Sequence, residues 1–468
     1  MKFCLKVDVS LCENENRTIS SISCQFSIKM TRTLPLLASL LLCLDQVTAQ
    51  SLGKGKEVHP KLDTYTCTKR GGCKKQTSYI VLDSAMHPIY QKNNPSLGCG
   101  DWGSAPNKTV CPDAKTCNQN CVIDAISDYS QYGVKTKGSS LYLDMLRDDL
   151  STISPRAYLM DSDQHKYDMI KLTGNEFTFD VDVSKLPCGM NGALYMSEMN
   201  KYGGKSSLNK GGAELGNGYC DAQCYTFPFV DGVVSTSDPK TSQPAKRSQG
   251  NIEGKGACCN ELDIWEANRR STALVPHPCN ITSIYQCTGD ECGFEGVCDK
   301  WGCGFNPNAV GQPDFYGEQP EAEVDTKRPF TVVTSFPAEK GVLKEIHRKY
   351  IQDGKIISNT VVNLPNRVAK NYIDDAFCEE NPGGTRRFTE LGGMTEMGEA
   401  MSRGMVLAFA VWWDVGGFMD WLDGTASGAG PCNSTEGNPE FIKTIQPDVA
   451  VEFSEIKWGE IGSTYKSK

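Results

Sequence analysis

Twenty-two cysteines in a chain of 468 residues constrain the fold more than any other feature. Cys4, Cys12, Cys24 and Cys43 precede residue 50, and the eighteen that remain run from Cys67 to Cys432. An even set of this size in an exported chain predicts up to nine disulfides. Metal binding competes for cysteine, but Cys-x-x-Cys is absent and the five histidines are not spaced as ligands, so no metal site is expected. Each closed loop is worth roughly 2–4 kcal/mol, which suits a loop-rich fold working outside the cell.

An export signal is expected at the N-terminal side. Met30–Ala49 reads MTRTLPLLASLLLCLDQVTA, with Arg32 ahead of an apolar run from Leu34 to Leu44 and small residues before Gln50. That pattern predicts a signal peptide cleaved after Ala49. A membrane span needs about 18–20 apolar residues, more than this run supplies. Residues 1–29 are polar and fit no signal, so translation is expected to start at Met30, and 50–468 is read as one catalytic domain with no separate carbohydrate-binding module. Sequons at Asn107, Asn280 and Asn433 are expected to carry N-glycans. The formal net charge is −9, and removing 1–49 leaves it near −10. A mildly acidic surface disfavours nucleic acid and anionic membrane but not a neutral polymer.

Several segments alternate apolar and polar residues with period two. In Glu176–Val183, Phe177, Phe179, Val181 and Val183 share one face. Strands are likewise predicted over Ser78–Asp83, Phe330–Phe336, Ile356–Leu364, Met405–Trp413 and Val449–Trp458, and a single short helix over Met394–Arg403, stopped at Gly404. Many strands, few helices and 45 glycines argue for an all-β sandwich of antiparallel sheets. The stretch 233–250 has no periodicity and reads as a surface loop.

Three acids in NELDIWEAN (260–268) suggest chemistry. Residues two apart in a strand share a face at about 6.6 Å, so Glu261 and Asp263 can point the same way. Glu266 lies five residues from Glu261, about 16 Å along an ideal strand and on the other face. A bend or bulge between Asp263 and Glu266 would bring the third carboxylate round. Two carboxyl groups about 5–5.5 Å apart, one a nucleophile and one an acid/base, are what a retaining glycosidase needs. On this reading Glu261 attacks the anomeric carbon, Glu266 protonates the leaving oxygen, and Asp263 assists. The bland alternative is an acidic strand edge, which Glu-x-Asp-x-x-Glu alone matches equally well.

The flanks carry more information. CCNELDIWEANRRSTALVPHPC (258–279), FDVDVSKLPCGMNGALY (179–195), GNGYCDAQC (216–224), GPCNSTEGNP (430–439) and IKWGEIGST (456–464) resemble glycoside hydrolase family 7, the fungal cellulases. The resemblance implies a concanavalin-like β-jelly-roll with a long substrate cleft and all nine disulfides of the family framework. It implies the three acid roles above and places His277 beside the leaving-group site. It also places Arg156, Asn191, Tyr195, Tyr219, Asp221 and Gln223 along glucose-binding subsites, and makes Trp412 and Trp421 sugar platforms. Trp413, next along the strand, is expected to face the core. No cofactor is implied, and the partners are cellulose or soluble β-glucan chains met by a secreted monomer.

Within the family, processive cellobiohydrolases carry Trp-x-Trp near the tunnel entrance, where this chain reads Ala85, Met86, His87, Pro88. The segments between Cys287 and Cys298 and over Gly424–Pro431 are short and lack product-side arginines. These losses point to an open groove and internal cleavage. The competing readings are a cellobiohydrolase of the same family, a family 16 type β-1,3(4)-glucanase, a non-catalytic glycan-binding sandwich, and a calcium site made of the three acids. Breadth of substrate is not legible at this level.

Overall fold

The computed structural model describes residues 51–99, 107–225, 229–230, 233–234, 256–381 and 386–466. Residues 1–29, the segment 30–49 expected to be a signal and most of 233–250 lie outside these; Val233–Val234 pair antiparallel with Phe229–Val230. The described residues all belong to one compact unit, 47–468.

Twelve strands carry the architecture: β1 Lys61–Thr68, β2 Gly72–Leu82, β3 Arg156–Met160, β4 Asn175–Asp182, β5 Met190–Ser197, β6 Glu261–Ala267, β7 Thr272–His277, β8 Phe330–Ser335, β9 Ile346–Gln352, β10 Lys355–Ser358, β11 Met405–Trp413 and β12 Ala450–Glu460. They hydrogen-bond in the order β7-β6-β5-β11-β3-β2-β1-β12-β4-β8-β9-β10. Neighbours along this path are antiparallel except β1 with β12, which is parallel.

The path folds over on itself into a β-jelly-roll sandwich. Trp265 of β6 meets Phe179 of β4, Phe330 of β8 and Tyr350 of β9 at ring-centroid distances of 6.0, 5.8 and 6.5 Å, so the first strands of the path face the last. Period two decides which side chains enter this interior. In β11, Met405, Leu407, Phe409 and Val411 join the main core, while Val406, Ala408 and Ala410 join a second apolar layer on the opposite face with Tyr158, Tyr195 and Tyr219. Each fully buried Val, Leu, Phe or Met side chain among them is worth roughly 1.5–3 kcal/mol. Trp412 and Trp413 separate in the expected way: Trp412 packs on the second layer and Trp413 on the main core.

Most predicted elements form, with corrected bounds. Phe177, Phe179, Val181 and Val183 all enter the main core. The strand predicted to begin at Ser78 already begins at Gly72, because Lys74 and Gln76 are polar yet pair with Thr66 and Thr64 of β1. The strand predicted over 356–364 stops at Ser358, and beyond it the backbone leaves the ladder. The helix Gly393–Arg403 ends at Gly404, whose φ of 109° suits glycine. Five further helices escaped the sequence reading: Ala114–Asn120, Asp375–Glu380, Arg386–Glu390, Asp420–Asp423 and Pro439–Ile445. They are too short for a 3.6 period, and their signals are caps: Asp113, Asp374 and Asn438 each accept a backbone N–H of the first turn.

All eighteen cysteines from Cys67 onward are paired, giving nine disulfides. The cysteine sulfurs close enough together to share an ion, around Cys99, Cys224 and Cys188, are all in these disulfides and lack the thiolate a metal needs.

Candidate active site

The three acids stand on one face of β6 because that strand carries a bulge. Against β5 the register steps from Leu262↔Met196 to Trp265↔Leu194, and against β7 from Asp263↔Val275 to Glu266↔Ala273. In both ladders β6 spends three residues where its neighbour spends two, so one residue is left over and the alternation changes phase. The side chains record the change. Leu262 and Ile264 point into the main core, and so do Trp265 and Ala267. Glu261, Asp263 and Glu266 therefore face away from it, 7, 6 and 8 % exposed. Trp265 anchors the shift: its fully buried indole is surrounded by Phe179, Tyr316, Phe330 and Tyr350. Burying a ring that size outweighs the ladder lost at one residue.

Each carboxylate is held differently. One oxygen of Glu261 accepts the backbone N–H of Ala222 at 2.9 Å. The loop presenting that N–H is clamped to the start of β6 by Cys220–Cys259 and Cys224–Cys258, which is the use of the adjacent cysteines. Glu266 accepts from Asn191 Nδ2 at 2.9 Å, and Asn191 Oδ1 in turn accepts Ala267 N–H at 3.2 Å, fixing the amide's orientation. Asp263 lies 3.0 Å from His277 Nε2. His277 Nδ1 lies 2.8 Å from the Asp299 carbonyl, so Nδ1 carries a proton and Nε2 shares one with Asp263. Gly302 packs flat against the imidazole: a Cβ there would come within 2.5 Å of His277 Cε1.

Burial, reinforced by Asp263 and Asp221, pushes Glu261 well above the usual carboxylate range; His277 and the Ala222 N–H oppose it. Burial and Asp221 raise Asp263 likewise. Burial and Asp263 push Glu266 up to about 8. The set therefore retains protons at a pH where exposed acids have lost them, and titrates as a unit.

The other expected residues surround this centre. Tyr195 and Tyr219 hydroxyls are 3.1 Å apart, and Asp221 is buried beside them. Arg156 lies 3.4 Å over the Tyr219 ring and pairs with Asp83 at 2.6 Å, so it braces the tyrosine. Gln223 donates to the Lys300 carbonyl at 2.8 Å. Trp412 and Trp421 stack on each other, centroids 6.1 Å apart, and Trp421 is 43 % exposed. The two indoles thus form one joined platform.

Two residues of the site escaped the sequence reading. Lys300 is buried with Asp221 acting on its charge, and burial brings it down to about 8. Nothing in CDKWGC (298–303) distinguishes it from a solvated lysine. Asp83, which holds both Arg156 and the Tyr158 hydroxyl, is only the last residue of the strand predicted over Ser78–Asp83.

Comparison with known proteins supplies the family. Residues 52–465 match the model of glycosyl hydrolase family 7. The chain belongs to that family. Endoglucanase 1 of Humicola insolens is 52 % identical over 419 residues, 89 % of this chain and 99 % of the relative. The native structure of the Humicola insolens endocellulase EGI superposes with a TM-score of 0.82 at 52 % identity, over 89 % of this chain and all of that one. A family 7 cellobiohydrolase from Daphnia pulex is more distant, at 35 % identity and a TM-score of 0.79 over 89 % of this chain and all of that one.

Membership gives the Trp412–Trp421 platform a test. Cys188–Cys432 ties the start of β5 to the segment after Trp421, and Asp423 there accepts Gly189 N–H at 2.8 Å and Asn268 Nδ2 at 2.7 Å. Replacing Cys188 and Cys432 together by alanine is expected to cost about 2–5 kcal/mol in denaturant unfolding. KM for cello-oligosaccharides should rise more than kcat falls.

Proposed function

We propose that this family 7 hydrolase is an endo-β-1,4-glucanase acting on cellulose and related β-glucans by double displacement. The bulge that gathers three carboxylates on the face of β6 opposite the core carries this reading. Glu261 is the nucleophile: a carboxylate with a backbone N–H on one oxygen is held ready for attack with the other. Glu266 is the acid/base, since an acid held to about 8 keeps its proton near neutrality and can give it to the leaving oxygen. Glu261 attacks as the carboxylate, and the proton it gives up is taken by Asp263, which His277 Nε2 faces at 3.0 Å, so the proton stays within the coupled set. Tyr195, Tyr219, Asp221, Gln223, Asn191 and the Trp412–Trp421 platform line the sugar path.

Internal cleavage is supported at the groove's ends. Where processive relatives would place Trp-x-Trp, Ser84–Met86 makes a tight turn and His87 is buried against Glu57 and the Asp83 carbonyl. The segment after Cys287 is pinned into a short loop by Cys287–Cys292. The protein is secreted as a monomer, in keeping with its nine disulfides and with Asn107, Asn280 and Asn433 all being exposed. On carboxymethylcellulose, viscosity is expected to fall before reducing ends accumulate. A product stream of cellobiose alone with viscosity barely changed would refute internal cleavage.

A further inference from the structure

Ile264 is the residue that the bulge leaves over, partnered in neither the β5 nor the β7 register. Its carbonyl is nevertheless satisfied, and the donor comes from the opposite layer. Arg348 of β9 donates from Nη2 to the Ile264 carbonyl and from Nε to Thr334 Oγ1 of β8 at 3.0 Å. The guanidinium is deep in the core: Arg348 is 5 % exposed and lies 5.7 Å over the Trp265 ring and 5.9 Å over that of Tyr350. Among the described residues no carboxylate pairs with it, and the groups acting on its charge are Tyr350 and Tyr316.

An uncompensated cation is an expensive way to fill a core position, and β9 already alternates Ile346, Arg348 and Tyr350 inward. An apolar side chain would pack there at lower cost but would leave a buried carbonyl without a donor. A strand in that state is relieved by slipping back to regular pairing, which turns every later side chain to the other face. Glu266 is the next acid beyond the slip. We infer that Arg348 is a positioning residue which, from the far sheet, holds the β6 bulge and so the aim of Glu266 relative to Glu261 and Asp263. The inference rests on the acid/base reading of Glu266.

The test compares kcat/KM for two aryl β-cellobiosides, one with a methylphenol and one with a dinitrophenol leaving group, in Arg348→Met and in Glu266→Gln. A poor leaving group needs a well-aimed acid and a dinitrophenolate does not. Arg348→Met is expected to lower the methylphenyl value by about ten- to a hundredfold and the dinitrophenyl value by less than about threefold. Equal losses on both substrates, or no loss on either, would overturn the role of Arg348. If Arg348→Met does not fold, Thr334→Val frees one side of the guanidinium and should show the same split on a smaller scale; equal losses there overturn it equally. Absence of the split in Glu266→Gln would instead overturn the acid/base reading, and the Arg348 role with it.

Discussion

Glu261→Gln is expected to lower kcat on cellotetraose by at least about a thousandfold, since no covalent intermediate can then form. The amide is nearly isosteric, and the Ala222 N–H keeps an oxygen to donate to. Because burial, Asp263 and Asp221 all disfavour the ionised carboxylate, removing its charge should also raise the thermal midpoint near neutral pH. Loss of activity with a raised or unchanged midpoint separates a reacting group from a structural one. Undiminished turnover would remove Glu261 from the mechanism.

Glu266→Gln should lower kcat on cellotetraose by about 10²–10⁴-fold, the range for a lost general acid. Its pH behaviour follows from the raised carboxyl. With the native group near 8 and an ordinary glutamate at 4.5, the folded chain keeps a proton across that interval that the unfolded chain releases. Stability from this group is complete below about 4.5 and is lost as pH rises through about 8. Wild-type thermal midpoints should accordingly fall from pH 5 to pH 8, and Glu266→Gln should fall less steeply. The alkaline limb of wild-type kcat/KM should report the same set of coupled acids. Parallel melting curves against pH for the two proteins would show that the native glutamate is not raised.

The joined Trp412–Trp421 platform and the Arg156–Asp83 pair changed what individual residues do without changing where they lie. The family resemblance puts Arg156 along the sugar path, whereas its partners in the structure, Asp83 and Tyr219, are 73 and 63 residues away in number, and pairing at that separation leaves no local mark. Lys300 was invisible for a related reason: a lysine looks solvated until tertiary packing buries it beside Asp221.

By itself the sequence determined the class of fold and singled out the three acids proposed to react. Period-two alternation specifies which face of each strand meets the core, the eighteen cysteines specify an oxidised, loop-rich chain, and the motif flanks carry the resemblance to family 7. Only the tertiary structure decided how Glu266 comes to share a face with Glu261. Alternation on β6 alone puts them on opposite sides, and the phase is reset by contacts no local pattern encodes: Trp265 drawn into an aromatic cluster from β4, β8 and β9, and Arg348 of β9 taking the carbonyl the bulge leaves over.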